Sequence, residues 1–142
     1  MFVLDTNVIS ELRSGKPRQS SVVRAWAAGQ PVNRLYLSAV TLLELEMGVL
    51  RLARKDAVQA ATLRAWVDGL LRQFVGKMLP FTAEAALVCA PMHVPNPRSF
   101  RDSMIAATVM QHGFTLVTRN VDDFKGLALQ VVNPRGRKHF QK

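Results

Sequence analysis

The apolar run Met1-Phe2-Val3-Leu4 stops at Asp5-Thr6-Asn7, and a helical pattern begins at once. A buried strand that ends in a carboxylate places it at the strand's carboxyl end. In open α/β sheets the ligand crevice lies outside those ends. Further apolar runs at 35–38, 78–81 and 114–118, with another at 129–132, read as strands. Helical patterns fill the intervals at 8–13, 22–28, 41–53, 56–75, 82–89 and 101–112. The fourth repeats Ala60, Leu63, Val67, Leu70, Leu71 and Phe74 at three- and four-residue steps, and the last ends at Gly113, a good helix stop. Strands alternating with helices predict an α/β chain with a parallel sheet covered on both faces.

With 142 residues, the chain is expected to be one domain with a core that needs no staples. There are 19 basic and 10 acidic residues, for a formal net charge of +9. That balance favours polyanionic partners, nucleic acid first. The single cysteine excludes an internal disulfide and fits a reducing compartment. Cys89 sits in the run Ala85-Ala86-Leu87-Val88-Cys89 and reads as a small buried hydrophobe. No stretch is long and apolar enough to span a membrane, and the N-terminus lacks the basic start of a signal peptide. The expectation is a soluble cytoplasmic protein. The segment 91–99 holds three prolines, cannot be regular helix, and is expected to form one wall of the site through its proximity to Asp102. Residues 14–18 read as a surface turn, and the basic tail at about 135–142 as loosely ordered.

Each candidate acid has an ordinary structural role to set beside a chemical one. Asp5, Thr6 and Asn7 are all good helix caps, but one cap suffices and Asp5 stands at a strand end. Thr41-Leu42-Leu43-Glu44 fits a capping box, in which Glu44 would reach back to the first amide. Glu46 is the competing acid, but two residues apart on a helix the two face different ways. Asp102 in a first helical turn complements the helix dipole by about 0.3–1 kcal/mol, which alone could explain it. Asn120, Asp122 and Asp123 are common turn residues, yet they follow a second strand end.

Together these groups suggest an acidic metal site on a basic protein, and hence a nuclease. Scattered carboxylates suit Mg²⁺ or Mn²⁺, whereas one cysteine and the unspaced His93, His112 and His139 do not suit zinc. The histidines read as surface or helix-end residues. Arg13, Arg98, Arg101 and Arg119, with Lys16, Arg18 and Lys125, flank the acidic segments and are candidates for nucleic-acid phosphates. There is no Walker motif, dinucleotide fingerprint or Gly-x-Ser-x-Gly elbow.

Four segments in register resemble the PIN-domain family, and more narrowly the VapC-like toxins of type II toxin–antitoxin pairs. They are Leu4-Asp5-Thr6-Asn7-Val8-Ile9-Ser10-Glu11, Leu37-Ser38-Ala39-Val40-Thr41-Leu42-Leu43-Glu44-Leu45, Asp102-Ser103-Met104-Ile105-Ala106-Ala107-Thr108 and Thr118-Arg119-Asn120-Val121-Asp122-Asp123-Phe124. Val132-Asn133-Pro134 matches the family's usual ending. The resemblance implies a three-layer α/β/α sandwich, one PIN-like nuclease domain over 1–142, and a Mg²⁺- or Mn²⁺-dependent endoribonuclease that hydrolyses RNA with a metal-activated water. It places Asp5, Glu44 and Asp102 as metal ligands and catalytic acids. Asp123 is the expected fourth acid, because Asn120, where some relatives carry one, adds no charge. Thr6, Asn7, Ser38, Thr118 and Asn120 are expected to support them. It also implies a cognate antitoxin, a homodimer, and contact with DNA only through the antitoxin. Two alternatives stay open: a PIN nuclease outside toxin biology, and a weakly catalytic or non-catalytic subunit supporting a DNA-binding partner.

Overall fold

β1 (Phe2–Leu4) holds the middle of the molecule because neither of its faces reaches water: Val3 and Leu4 point to opposite sides and both are fully buried. The computed structural model describes residues 1–13 and 21–140, and only the backbone of 137–140. The expected turn at 14–18 lies outside the described residues. In chain order α1 (Thr6–Glu11) and α2 (Ser21–Ala28) precede β2 (Leu35–Ser38). Then come α3 (Ala39–Ala53), α4 (Ala57–Gln73), β3 (Met78–Leu79), α5 (Ala83–Cys89) and α6 (Phe100–His112). The chain finishes with β4 (Thr115–Val117), β5 (Gln130–Asn133) and β6 (Arg137–Phe140).

The sheet order is β3-β2-β1-β4-β5-β6, with the first five strands parallel, as the alternating pattern predicts. β6 departs from that reading: it runs antiparallel to β5, Val131 opposite His139. The basic composition of this segment reads as a loose tail, but its backbone covers what would otherwise be the bare edge of β5. Two buried clusters lie against the sheet's two faces. One joins Val3 and Leu116 to Ile105, Val109 and Phe124; the other joins Leu4 and Val117 to Val8, Leu45 and Val67. β1 and β4 thus feed alternate residues to each side, which makes the chain a three-layer α/β/α sandwich.

Two helix starts differ from the sequence reading. α1 begins at Thr6, because Asp5 itself caps it. α3 begins at Ala39 rather than residue 41, capped by Ser38, whose Oγ accepts from the Thr41 amide at 3.2 Å. Glu44 therefore lies beyond the first turn and makes no capping box. α6 ends as expected at Gly113, whose φ of 67° is the left-handed geometry glycine adopts without strain.

The strand order reverses between β1 and β4: from β1 the chain steps outward through β2 and β3, then returns to the other side of β1. Their carboxyl ends therefore flank a topological switch point, the place where open α/β sheets form a ligand crevice.

Candidate active site

Asp5 and Thr118 sit side by side at that switch point. The Asp5 amide donates to the Val117 carbonyl at 2.8 Å, extending the β1–β4 ladder by one residue. The Thr118 hydroxyl donates to Asp5 Oδ2 at 2.8 Å, and Asn7 Nδ2 approaches the same oxygen at 3.4 Å. Asp5 is wholly buried, and its Oδ1 accepts from the Thr6 amide at 2.7 Å, so the carboxylate caps α1 and belongs to the site at once. Glu44 reaches the same crevice from α3. The Thr6 hydroxyl donates to its Oε1 at 2.5 Å, and the Thr41 hydroxyl lies 3.2 Å from that of Thr6. Asp102 enters from the first turn of α6, which Ser99 caps through the Asp102 amide at 3.2 Å.

What joins the three acids is Arg101. Its Nη2 donates to Asp5 Oδ1 at 2.5 Å, its Nε to Glu44 Oε2 at 2.6 Å, and its Nη1 to Asp102 Oδ1 at 2.7 Å. Asp5 and Glu44 thus each hold one oxygen back against a hydroxyl and turn the other toward a shared cation, an outer shell of the kind that orients metal ligands. Burial opposes the arginine's charge, but the hydrogen bonds to Glu44 and Asp102 and the charge of Asp5 outweigh it and hold the guanidinium above its usual value. Three carboxylates against one guanidinium leave the cluster negative.

Hard oxygen donors converging on one cation have the chemistry that Mg²⁺ or Mn²⁺ requires. Their present spacing is that of a guanidinium. Among the described residues, no three acidic, histidine or cysteine side chains close on a single ion position. The donors fit a divalent ion once Arg101 stands aside.

The remaining candidates divide. Glu46 turns away to α4, where it forms a two-pronged ion pair with Arg64, as its two-residue offset from Glu44 predicts. The Arg64 hydrogen bond holds its pKa below the ordinary 4.5. That contribution to stability is therefore present above about pH 4.5 and fades as pH falls through the lower folded value. Both side chains are about one-third exposed, so water screens the pair and the contribution is small. Glu46→Gln is expected to leave divalent-metal binding unchanged, whereas Glu44→Gln is expected to weaken it at least about tenfold; matched Mn²⁺ titrations of the two variants separate their roles.

Asp123 is exposed on the 3₁₀ turn Val121–Phe124, and its carboxylate makes no hydrogen bond or ion pair among the described residues. Asn120, also exposed, donates its amide to the Thr118 hydroxyl at 3.1 Å. Ser38 caps α3 and is not drawn into the cluster. Arg13 lines a cavity of about 250 Å³ beside Thr6 and Glu44. Arg98 donates to the Lys125 carbonyl at 2.9 Å. Two expected phosphate contacts are committed inside the chain instead: Arg101 to the acids, and Arg119 to the buried Glu11 at 2.5 Å. Desolvated carboxylates at both places draw in the nearest guanidinium. The proline segment lines a separate cavity of about 570 Å³ with Met110 and Leu127, and none of the three acids borders it. His93, expected at the surface, is half-buried with Nε2 2.8 Å from Ser103 Oγ, whereas His112 is exposed near the end of α6 and Cys89 is buried.

Arg101's central place, Thr41 and Glu11 escape the sequence reading. For Arg101 one signal exists: a cation in the first turn of a helix opposes the dipole, so something else must hold it there. For Glu11 the signal is an acid in the helical pattern three residues after Val8 and two after Ile9, both of which are buried.

A parallel α/β sandwich with acids gathered at its switch point defines a class, and the chain belongs to it: the PIN domain family model matches residues 2–129. The chain is 37% identical to VapC ribonuclease Y4jK of Sinorhizobium fredii, over 94% of this chain and 97% of that protein. It is 34% identical to toxin FitB of Neisseria gonorrhoeae, over 94% and 98%. Among solved structures it superposes on FitAcB from Neisseria gonorrhoeae with a TM-score of 0.87 and 33% identity, over 96% of this chain and 100% of that one. The structure of FitAB bound to an IR36 DNA fragment gives 0.84 and 32%, over 98% and 99%.

Proposed function

We propose that the chain is a divalent-metal-dependent endoribonuclease, the toxin of a type II toxin–antitoxin pair, built as one PIN-like domain over 1–142. The convergence of Asp5, Glu44 and Asp102 on a single cationic group at the sheet's switch point carries this reading. Its relatives named as a VapC ribonuclease and a toxin support it. Asp5, Glu44 and Asp102 would hold Mg²⁺ or Mn²⁺. Bound there, the ion would supply Lewis-acid stabilisation of phosphate charge and a more acidic water as nucleophile.

The chain's own groups do the positioning. Thr118 and Asn7 fix the inner oxygen of Asp5, and Thr6, backed by Thr41, fixes that of Glu44. Asp123, with Asn120 beside it, would provide the fourth position; the bond from the Asn120 amide to Thr118 supports this. Arg13, on the cavity next to Glu44, and Arg98 would meet RNA phosphates, which makes binding fall steeply with salt. The partner is a cognate antitoxin and the chain a homodimer, with DNA met only through the antitoxin; the structure of FitAB bound to a DNA fragment supports the contact with DNA. No helix among the described residues is long and apolar enough to cross a membrane, and the reading places the protein in the cytoplasm.

Induced expression in a bacterial host tests the toxin assignment. The chain alone is expected to arrest growth with RNA fragmentation, Asp102→Asn to be harmless, and co-expression of the neighbouring small protein to restore growth. Normal growth with intact RNA from a folded, partner-free chain would speak against it.

A further inference from the structure

Among the described residues, Arg101 is the one cation that touches all three candidate metal ligands, and it does so with three different nitrogens at 2.5–2.7 Å. It uses the oxygens that face the crevice, Asp5 Oδ1, Glu44 Oε2 and Asp102 Oδ1. The rearward oxygens of Asp5 and Glu44 are occupied by Thr118 and Thr6. A Mg²⁺ draws its oxygens to about 2.0–2.1 Å, so an ion and the guanidinium cannot hold the same three oxygens together. The arginine's position is not helix-driven, because a positive side chain in the first turn of α6 is disfavoured by the helix dipole. Its side chain is 30% exposed, so solvent lies on one side of it and a route outward is open.

We propose that Arg101 is a resident counter-cation of this site that exchanges with the divalent ion: it gathers Asp5, Glu44 and Asp102 around itself and must swing out before the three carboxylates can share a metal. The proposal rests on the metal-site reading above. Arginine suits the task where lysine would not. Its rigid fork presents separate donors to three acids, whereas an ammonium offers one point of charge. Exchange also sets the apparent affinity of the ion, because each metal-binding event must release three charge-assisted hydrogen bonds. An equilibrium between two occupants of one site lowers the affinity of each by the other's share.

The test is Mn²⁺ titration of the purified full chain, with free Mn²⁺ read by electron paramagnetic resonance and no RNA present. Arg101→Ala is expected to bind Mn²⁺ at least about tenfold more tightly than the wild type, equivalent to about 1.4 kcal/mol. Its metal-free melting temperature should fall, because three unpaired acids then face one another, and Mn²⁺ should raise it more than it raises the wild type's. Arg101→Lys, which keeps the charge and guards against a misfolded alanine variant, should bind Mn²⁺ with intermediate affinity. Equal or weaker binding by both variants, with saturable binding by the wild type, would overturn the exchange and leave the metal site standing. No Mn²⁺ binding by any of the three folded proteins would overturn both.

Discussion

Asp5→Asn is expected to reduce RNA cleavage by at least about a hundredfold, more than the 10- to 100-fold typical of losing an outer-shell group around a metal, while the melting temperature moves by no more than about 4 °C. The two halves of that expectation come from the two jobs of one side chain. Asparagine caps a helix about as well as aspartate, so the bond from the Thr6 amide survives and α1 keeps its start. The Thr118 hydroxyl, which already accepts from Asn7 and from the Asn120 amide, loses its acceptor at Oδ2, a cost of about 1 kcal/mol that the expected melting shift contains. What asparagine cannot supply is the charge that Oδ1 presents to the shared cation. Arg101 keeps Glu44 and Asp102, so the cluster is weakened and not abandoned. Paired measurements of RNA turnover and thermal unfolding check this. Full cleavage with an unchanged melting curve would remove Asp5 from the site.

The largest effect on stability is expected from Phe124→Ala. Phe124 is completely buried among Val121, Leu127, Leu129 and Ile105, and it ends the 3₁₀ turn that carries Asp122 and Asp123. Truncating a buried phenylalanine costs about 3–5 kcal/mol, transfer and cavity together. For a chain of this size that should lower the melting temperature by about 10–20 °C. Calorimetry gives the number directly, and a loss below about 1 kcal/mol would mean that the turn is not anchored as described. Cleavage measured well below the variant's melting temperature should also fall, because Phe124 anchors the turn whose N-cap, Asn120, binds Thr118 through its amide.

Local patterns carried most of the fold. Period-two burial, strand-ending polar residues and a terminal glycine are readable within a few positions, and β1, β2, α6 and its stop at Gly113 lie where those signals put them. Boundaries slipped where the cap lies three residues earlier than the periodicity suggests: Ser38, not Thr41, starts α3, which is why Glu44 reads as a capping residue in the sequence and is a crevice residue in the structure. β6 was illegible because edge pairing depends on where β5 ends up in the sheet, and a run of basic residues carries no strand period.

The candidate site was legible acid by acid, since each stands at an element end, but not as a cluster. Arg101 meets Asp5 across 96 positions and Glu44 across 57, and Arg119 meets Glu11 across 108. No local rule links residues that far apart. Only the sheet order, with β4 returning beside β1, brings them together. Sequence reading therefore placed both arginines outside, facing a phosphate, when each had a carboxylate nearer at hand.

The account stands or falls on whether the acidic crevice makes this chain a metal-dependent ribonuclease. The most direct measurement is cleavage of a diverse RNA pool by the purified, partner-free chain in Mg²⁺, repeated in EDTA and after Mg²⁺ is restored. Fragments are expected in Mg²⁺, none in EDTA, and recovery on restoring the ion. Cleavage that persists undiminished in EDTA would contradict a metal-dependent ribonuclease, as would intact RNA throughout from a folded chain that binds Mn²⁺.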